Sequence, residues 1–143
     1  MSTMAVEAPH NNAAGELVPV ASGALDEVPE YVDHIASTMA RSGQSLRAGN
    51  DREGLNTFAR GASDLALFFE LVHRLAAIAV PSPGAATTAF TSGLKESVRT
   101  MHDALDRNDL VALSDGIEGI LLPVLLSWTA VDREMRAGLA ARA

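Results

Sequence analysis

Apolar residues recur along this chain at alternating three- and four-residue steps, in four separate stretches. Val28, Val32, Ile35, Met39 and Leu46 fall on one such stripe, with Ser42 at the remaining position. The stripe predicts a first helix over about 27–48. Asp26 is its candidate cap, and Pro29 sits in the first turn, where a missing N–H costs nothing. Leu55, Phe58, Ala62, Leu65, Phe69, Val72, Ala76 and Ala79 hold the spacing over four heptads and predict a second helix over about 51–80. Asn50 and Glu53 have the spacing of a capping box at its start. Phe68, Leu71, Leu75 and Ile78 widen the apolar face beyond one stripe. Val80-Pro81-Ser82-Pro83-Gly84 interrupts the pattern, since prolines and a glycine do not continue a helix.

Two further helices follow. Phe90, Leu94, Val98, Met101 and Leu105 predict a third over about 86–106. Leu110, Leu113, Ile117, Ile120, Val124, Trp128, Val131 and Met135 predict a fourth over about 109–139. Every residue from Ile120 to Leu126 is apolar, so this helix is either central to a core or faces a second apolar surface. The run is too short to span a membrane, which takes about 20 apolar residues. Pro123 lies inside it and predicts a kink, because it withholds one hydrogen bond and crowds the Gly119 carbonyl.

Short turns make sequential helices antiparallel neighbours. The expected architecture is therefore all-α: an up-down-up-down antiparallel four-helix bundle over residues 26–143. Residues 1–25, rich in Ala, Gly, Ser, Asn and Pro and without a period, read as a disordered tail. The two hairpins look alike. Leu46-Arg47-Ala48-Gly49-Asn50-Asp51 resembles Leu105-Asp106-Arg107-Asn108-Asp109 with one residue removed, after which Leu55 matches Leu113, Ala59 matches Ile117 and Ala62 matches Ile120. Either a duplicated hairpin or two unrelated amphipathic hairpins gives this pattern.

Composition narrows the function classes. The chain of 143 residues is 48% hydrophobic but only 4% aromatic, so Ala, Leu and Val carry the core and favour helices. With no cysteine, disulfides and thiolate chemistry are excluded. A net charge of −7 argues against nucleic acid or an anionic membrane surface as partner. The first 25 residues carry no Lys or Arg and no long apolar run, so a secretory signal is not expected and a cytoplasmic setting is the default.

Candidate chemistry is sparse. Glu70 and His73 form a Glu-x-x-His pair of the kind that holds metal in ferritin-like bundles, but no second pair falls on the predicted helices. His34, His102 and Asp103 stand alone on helix faces. No phosphate loop, nucleophile elbow or zinc-protease helix occurs, so neither an enzyme nor a cofactor is expected. The surplus apolar width predicts a surface that receives a partner, made of Phe68, Leu71 and Leu75 on the second helix and Leu121, Leu125 and Trp128 on the fourth.

The Gly49-Asn50-Asp51 turn, then Leu55, Phe58 and Ala62, then a late Trp128 in a small acidic helical chain, resembles the flagellin export chaperones. That resemblance implies a cytoplasmic chaperone that holds an amphipathic helix of a secreted subunit; no binding residue carries over from it. The sequence-based expectation is a non-enzymatic helical interaction module binding an amphipathic segment of another protein. A structural homodimer and a ferritin-like metal bundle are the alternatives.

Overall fold

The computed structural model describes residues 2–79 and 84–142, with side chains described from Glu16 onward. Among the described residues every element is helical and there is no strand. Helix α1 spans Ser2–Arg47, α2 Asp51–Ala79 and α3 Ala85–Asp106. The fourth arm is segmented: α4 (Leu110–Gly116), a π-helical turn (Ile117–Leu121), α5 (Leu122–Leu126) and α6 (Trp128–Arg142). The four rods form the expected antiparallel bundle. The expected break over residues 80–83 lies outside the described residues, beyond which Gly84 precedes α3 in an extended conformation.

Three details of the expected helices are corrected. Helix α1 already runs through residues 16–25, where a tail was expected, because Ala21 and Leu25 are fully buried and extend the Val28–Ile35 stripe one heptad earlier. Asp26 and Pro29 consequently lie within the helix. Asp26 caps nothing and instead takes a 2.9 Å ion pair from Arg136. In the fourth arm the break around Pro123 is spread over two sites. The Leu122 N–H reaches back five residues to Ile117, closing a π turn just before the proline. The second break is at Ser127, whose N–H and hydroxyl both bond the Val124 carbonyl, at 3.0 and 2.6 Å.

The two hairpin turns have the same backbone. Asn50 N–H bonds Ser45 O at 2.9 Å and Gly49 N–H bonds Leu46 O at 3.2 Å; Asp109 N–H bonds Ala104 O at 2.8 Å and Asn108 N–H bonds Leu105 O at 3.0 Å. This is the Schellman closure, which needs a left-handed residue after the helix. Gly49 (φ 83°) and Asn108 (φ 53°) supply it. The bonds coincide with no residue removed, so the one-residue gap in the sequence comparison is corrected. Asp109 then caps α4 by accepting the Ala112 N–H at 3.0 Å.

The middle of the bundle is an aromatic cluster with one ring from each rod. Phe68 packs 5.8 Å from Tyr31, 6.0 Å from Phe90 and 5.6 Å from Trp128, mostly edge to face. The Tyr31 hydroxyl donates to the Asp64 carbonyl at 3.2 Å. Burial first, and the nearby Asp64 carboxylate second, raise its pKa above the usual 10.0. Below the cluster α1 and α2 approach closely. A Cβ at Gly54 would meet Leu46 Cδ2 at 2.7 Å, and one at Gly61 would meet Met39 Sδ at 2.9 Å. Buried Ser42 donates to the Gly54 carbonyl at 2.8 Å, and buried Ser114 donates to the Gly43 carbonyl at 3.2 Å. Small side chains thus join α1 to both of its neighbours.

At the other end Glu134 of α6 caps α3. Its carboxylate accepts the Ala86 and Thr87 N–H groups at 3.1 and 2.9 Å and also the Thr87 hydroxyl. A side chain at Gly84 would collide with that carboxylate. The Thr87 hydroxyl bond, opposed by desolvation and helped by the two backbone N–H groups, holds the Glu134 pKa below 4.5. A folded-state pKa below the unfolded one means stability that is present above the ordinary glutamate range and lost as pH falls through the native value. Glu134→Gln is therefore expected to cost about 1 kcal/mol at neutral pH, typical of a lost cap. The gap between variant and parent should close in acid. Urea unfolding at pH 7 and pH 3 checks this, and an equal gap at both pH values would refute it.

Candidate functional site: an apolar groove between α2 and α3

The bundle closes on three of its four sides. Helix α1 packs along α2 and along the fourth arm, and α3 packs along the fourth arm; α2 and α3 barely touch. The fourth side holds an open groove of about 460 Å³. Its floor is Phe58, Leu65, Leu94 and Met101, all buried, and its walls are Ala62, Phe69, Val98 and Leu105. Lys95 and His102 at the α3 edge are its only charged or ionisable lining residues. Of the six aromatic residues, four build the central cluster and the other two, Phe58 and Phe69, line this groove.

The groove exists because the most regular apolar stripes are turned partly away from the core. On α2 the inward line is Gly54, Thr57, Gly61, Leu65, Phe68, Val72, Leu75 and Ala79. Its first three residues are small because α1 passes so closely there. On α3 the inward line is Thr87, Phe90, Leu94, Ser97, Met101 and Ala104. Thr87 serves Glu134, and Ser97 returns its hydroxyl to the Gly93 carbonyl at 2.8 Å. Val98 and Leu105, which continue the apolar stripe, are left 49% and 37% exposed in the groove.

The residues expected to form the partner surface are elsewhere. Phe68, Leu75, Leu121, Leu125 and Trp128 are buried in the core and cannot meet a partner without unfolding the bundle; Leu71 is half-buried beside them. The physical reason is the inward line just described. Scored as apolar or polar, Gly54, Thr57 and Gly61 looked like an outer face, which moved Phe68 outward and Phe69 inward. The structure reverses that pair. Buried Trp128 Nε1 has no hydrogen-bond acceptor among the described residues.

Both members of the Glu-x-x-His pair are engaged with other side chains. Glu70 takes a 3.2 Å ion pair from Arg74, and His73 sits edge-on to Phe69 at 4.6 Å. Among the described residues no three His, Asp or Glu side chains gather where a metal ion would need them. His34 lies 3.3 Å from Asp64 and His102 lies 3.4 Å from Asp106, both on exposed surface.

The fourth arm carries a second apolar exposure. No charged residue occurs from Gly119 to Val131, and Leu126 is 76% exposed. Taken as a whole, Leu110–Arg142 is long and apolar enough to cross a membrane, with an 18-residue window of mean hydropathy 1.7, a third of it buried in the bundle. The seven-residue run alone understated this length. No protein-family model matches the chain, and no curated protein or solved structure matches it.

Proposed function

We propose that this chain is a non-enzymatic helical interaction module that holds an amphipathic segment of another protein in the α2–α3 groove. The observation that carries the reading is the open fourth side: a nearly uncharged cleft, lined by two aromatic and several aliphatic side chains, in a bundle otherwise closed. An amphipathic helix laid between two rods is a recurring recognition mode, and its apolar stripe would complete the missing side. The flagellin-chaperone resemblance, with its held helix, belongs to this reading. The cytoplasmic setting and the absence of membrane insertion are part of the same proposal. In its support, Asp115 and Glu118 pair with Arg47, and Glu134 and Arg136 of the apolar fourth arm bind α3 and α1.

The test uses residues that line the groove without holding the fold. Val98→Asp with Leu105→Asp places two charges on partly exposed wall positions. Circular dichroism and urea unfolding should show a folded bundle of near-parent stability. Capture of a partner that the parent chain retains should fall at least tenfold, the penalty of one charge left in an apolar contact. Undiminished capture by a folded double variant would remove the groove from this role.

A second reading has its own observation. The uncharged fourth-arm face around Pro123, Leu126 and Ala130, all exposed, suits a second copy of the chain. Light scattering distinguishes it: a dimer dispersed by Leu126→Arg favours self-association. The chain as a duplicated hairpin is also part of the proposal. Its supports are the two matching turns and a shared burial rhythm. Gly54 and Phe58 correspond to Leu113 and Ile117, and after the π turn adds one residue, Gly61, Leu65, Phe68, Leu75 and Ala79 correspond to Leu121, Leu125, Trp128, Met135 and Leu139.

A further inference from the structure

We propose that the segment held in the groove is an amphipathic helix of about three turns carrying carboxylates along the single edge that faces α3. The inference rests on the groove being a partner site and adds which kind of partner it takes. Its length follows from the walls. Phe58 to Phe69 on α2 and Leu94 to Leu105 on α3 each span roughly 16 Å at 1.5 Å per residue. That accommodates anchors at i, i+3 or i+4, and i+7.

The charge follows from the difference between the two walls. Beside the α2 stripe stand Ala59, Ser63 and Ala66, all exposed and uncharged, which let a helix backbone come close. Beside the α3 stripe stand Lys95, Arg99 and His102 at i, i+4 and i+7, and Lys95 and His102 reach the groove itself. Lys95 is the only lysine of a chain with net charge −7. Among the described residues neither Lys95 nor Arg99 has a carboxylate within ion-pair distance, which leaves the Lys95 ammonium at the groove free to meet one. Asp106 is paired with His102 and Glu70 with Arg74, while Glu96 and Asp103 stand three and four residues from Arg99, on the side of it away from the groove. With histidine neutral, Lys95 is the one formal charge in the groove lining, so it sets the sign that a partner meets there. Burial of the apolar stripe supplies most of the affinity, and the charged edge sets rotation and partner choice.

The test uses two designed helical peptides of about 14 residues, long enough for three turns with frayed ends. They share one leucine stripe and differ along one edge, three Glu in the first and three Lys in the second. Binding to the full chain is read by fluorescence anisotropy. The Glu peptide is expected to bind about tenfold tighter, the combined effect of weak exposed attractions to Lys95 and Arg99 gained and weak repulsions avoided. The preference should shrink at high salt and invert in Lys95→Glu/Arg99→Glu, whose fold is checked by circular dichroism. Equal binding of both peptides by the parent, lost in the Val98→Asp/Leu105→Asp variant, would overturn the charged edge and leave the groove reading standing. Binding of neither peptide, or binding that ignores the groove substitutions, would overturn both. Self-association in sedimentation that Val98→Asp abolishes would put a second copy in the groove and also overturn the proposal.

Discussion

Phe68→Ala is expected to lower the stability of the bundle by about 3–5 kcal/mol, as for a large ring removed from a packed core. Phe68 is fully buried and touches the aromatic ring of each of the other three rods. Its loss opens a cavity that four separate rods would have to move together to fill, which places the cost at the upper end. Aromatic pairs add about 0.5–1.5 kcal/mol each beyond area burial, and three are lost, two of them edge to face. Against a total stability of about 5–15 kcal/mol, the variant should unfold at far lower urea with an unchanged slope. Phe69→Ala is the control. Phe69 lies on the groove wall, so the neighbouring substitution should cost much less stability and reduce partner binding instead. A Phe68 variant as stable as the Phe69 variant would show that the rods do not meet at this ring.

Gly54→Val is expected to be nearly as damaging, for the opposite reason. A valine gains about 1 kcal/mol or less in helix propensity over glycine. That gain is outweighed. The new Cβ would stand 2.7 Å from Leu46 Cδ2 and 3.1 Å from the Leu46 backbone nitrogen, and a backbone atom cannot swing aside as a side-chain tip can. Overpacking of this kind costs about 1–3 kcal/mol. Separating the helices also stretches the buried Ser42 to Gly54 bond, whose loss leaves polar groups unsatisfied at about 1–3 kcal/mol. The net expectation is a loss of about 3 kcal/mol in urea unfolding. Gly61→Ala is the milder comparison, since a Cβ there meets only the flexible end of Met39. Stabilisation by Gly54→Val would mean that α1 and α2 do not cross as closely as described.

The helices and their antiparallel order were legible in the sequence because apolar spacing and turn residues report directly on local structure. Gly49 and Asn108 end their helices for backbone reasons that a residue type reveals on its own. The site was legible only in kind. Surplus apolar width on the second helix did mean an apolar surface there, but the wrong residues were assigned to it. Periodicity records which positions are apolar, not which of two adjacent stripes faces inward. Where two helices pass within reach of each other's backbones, the innermost positions must be small, so Gly54, Thr57 and Gly61 gave no apolar signal. The more regular stripe, through Leu55, Phe58, Ala62 and Phe69, then looked like the core when it borders the groove. The start of the first helix was obscured by Pro19 and Gly23, which suited a tail, and by Pro29, which read as a first-turn residue, although Ala21 and Leu25 are buried upstream of it. The two-site break in the fourth arm was legible only as a proline.

A single lysine also makes this chain single-addressed for amine chemistry among its side chains. An acyl group placed on Lys95 would erase the main cation of the groove rim, and a helix resting in the groove would shield that same amine from the reagent. In the proposed complex, occupancy would slow acylation at this one atom, so the acylation rate of Lys95 Nζ would report how full the groove is.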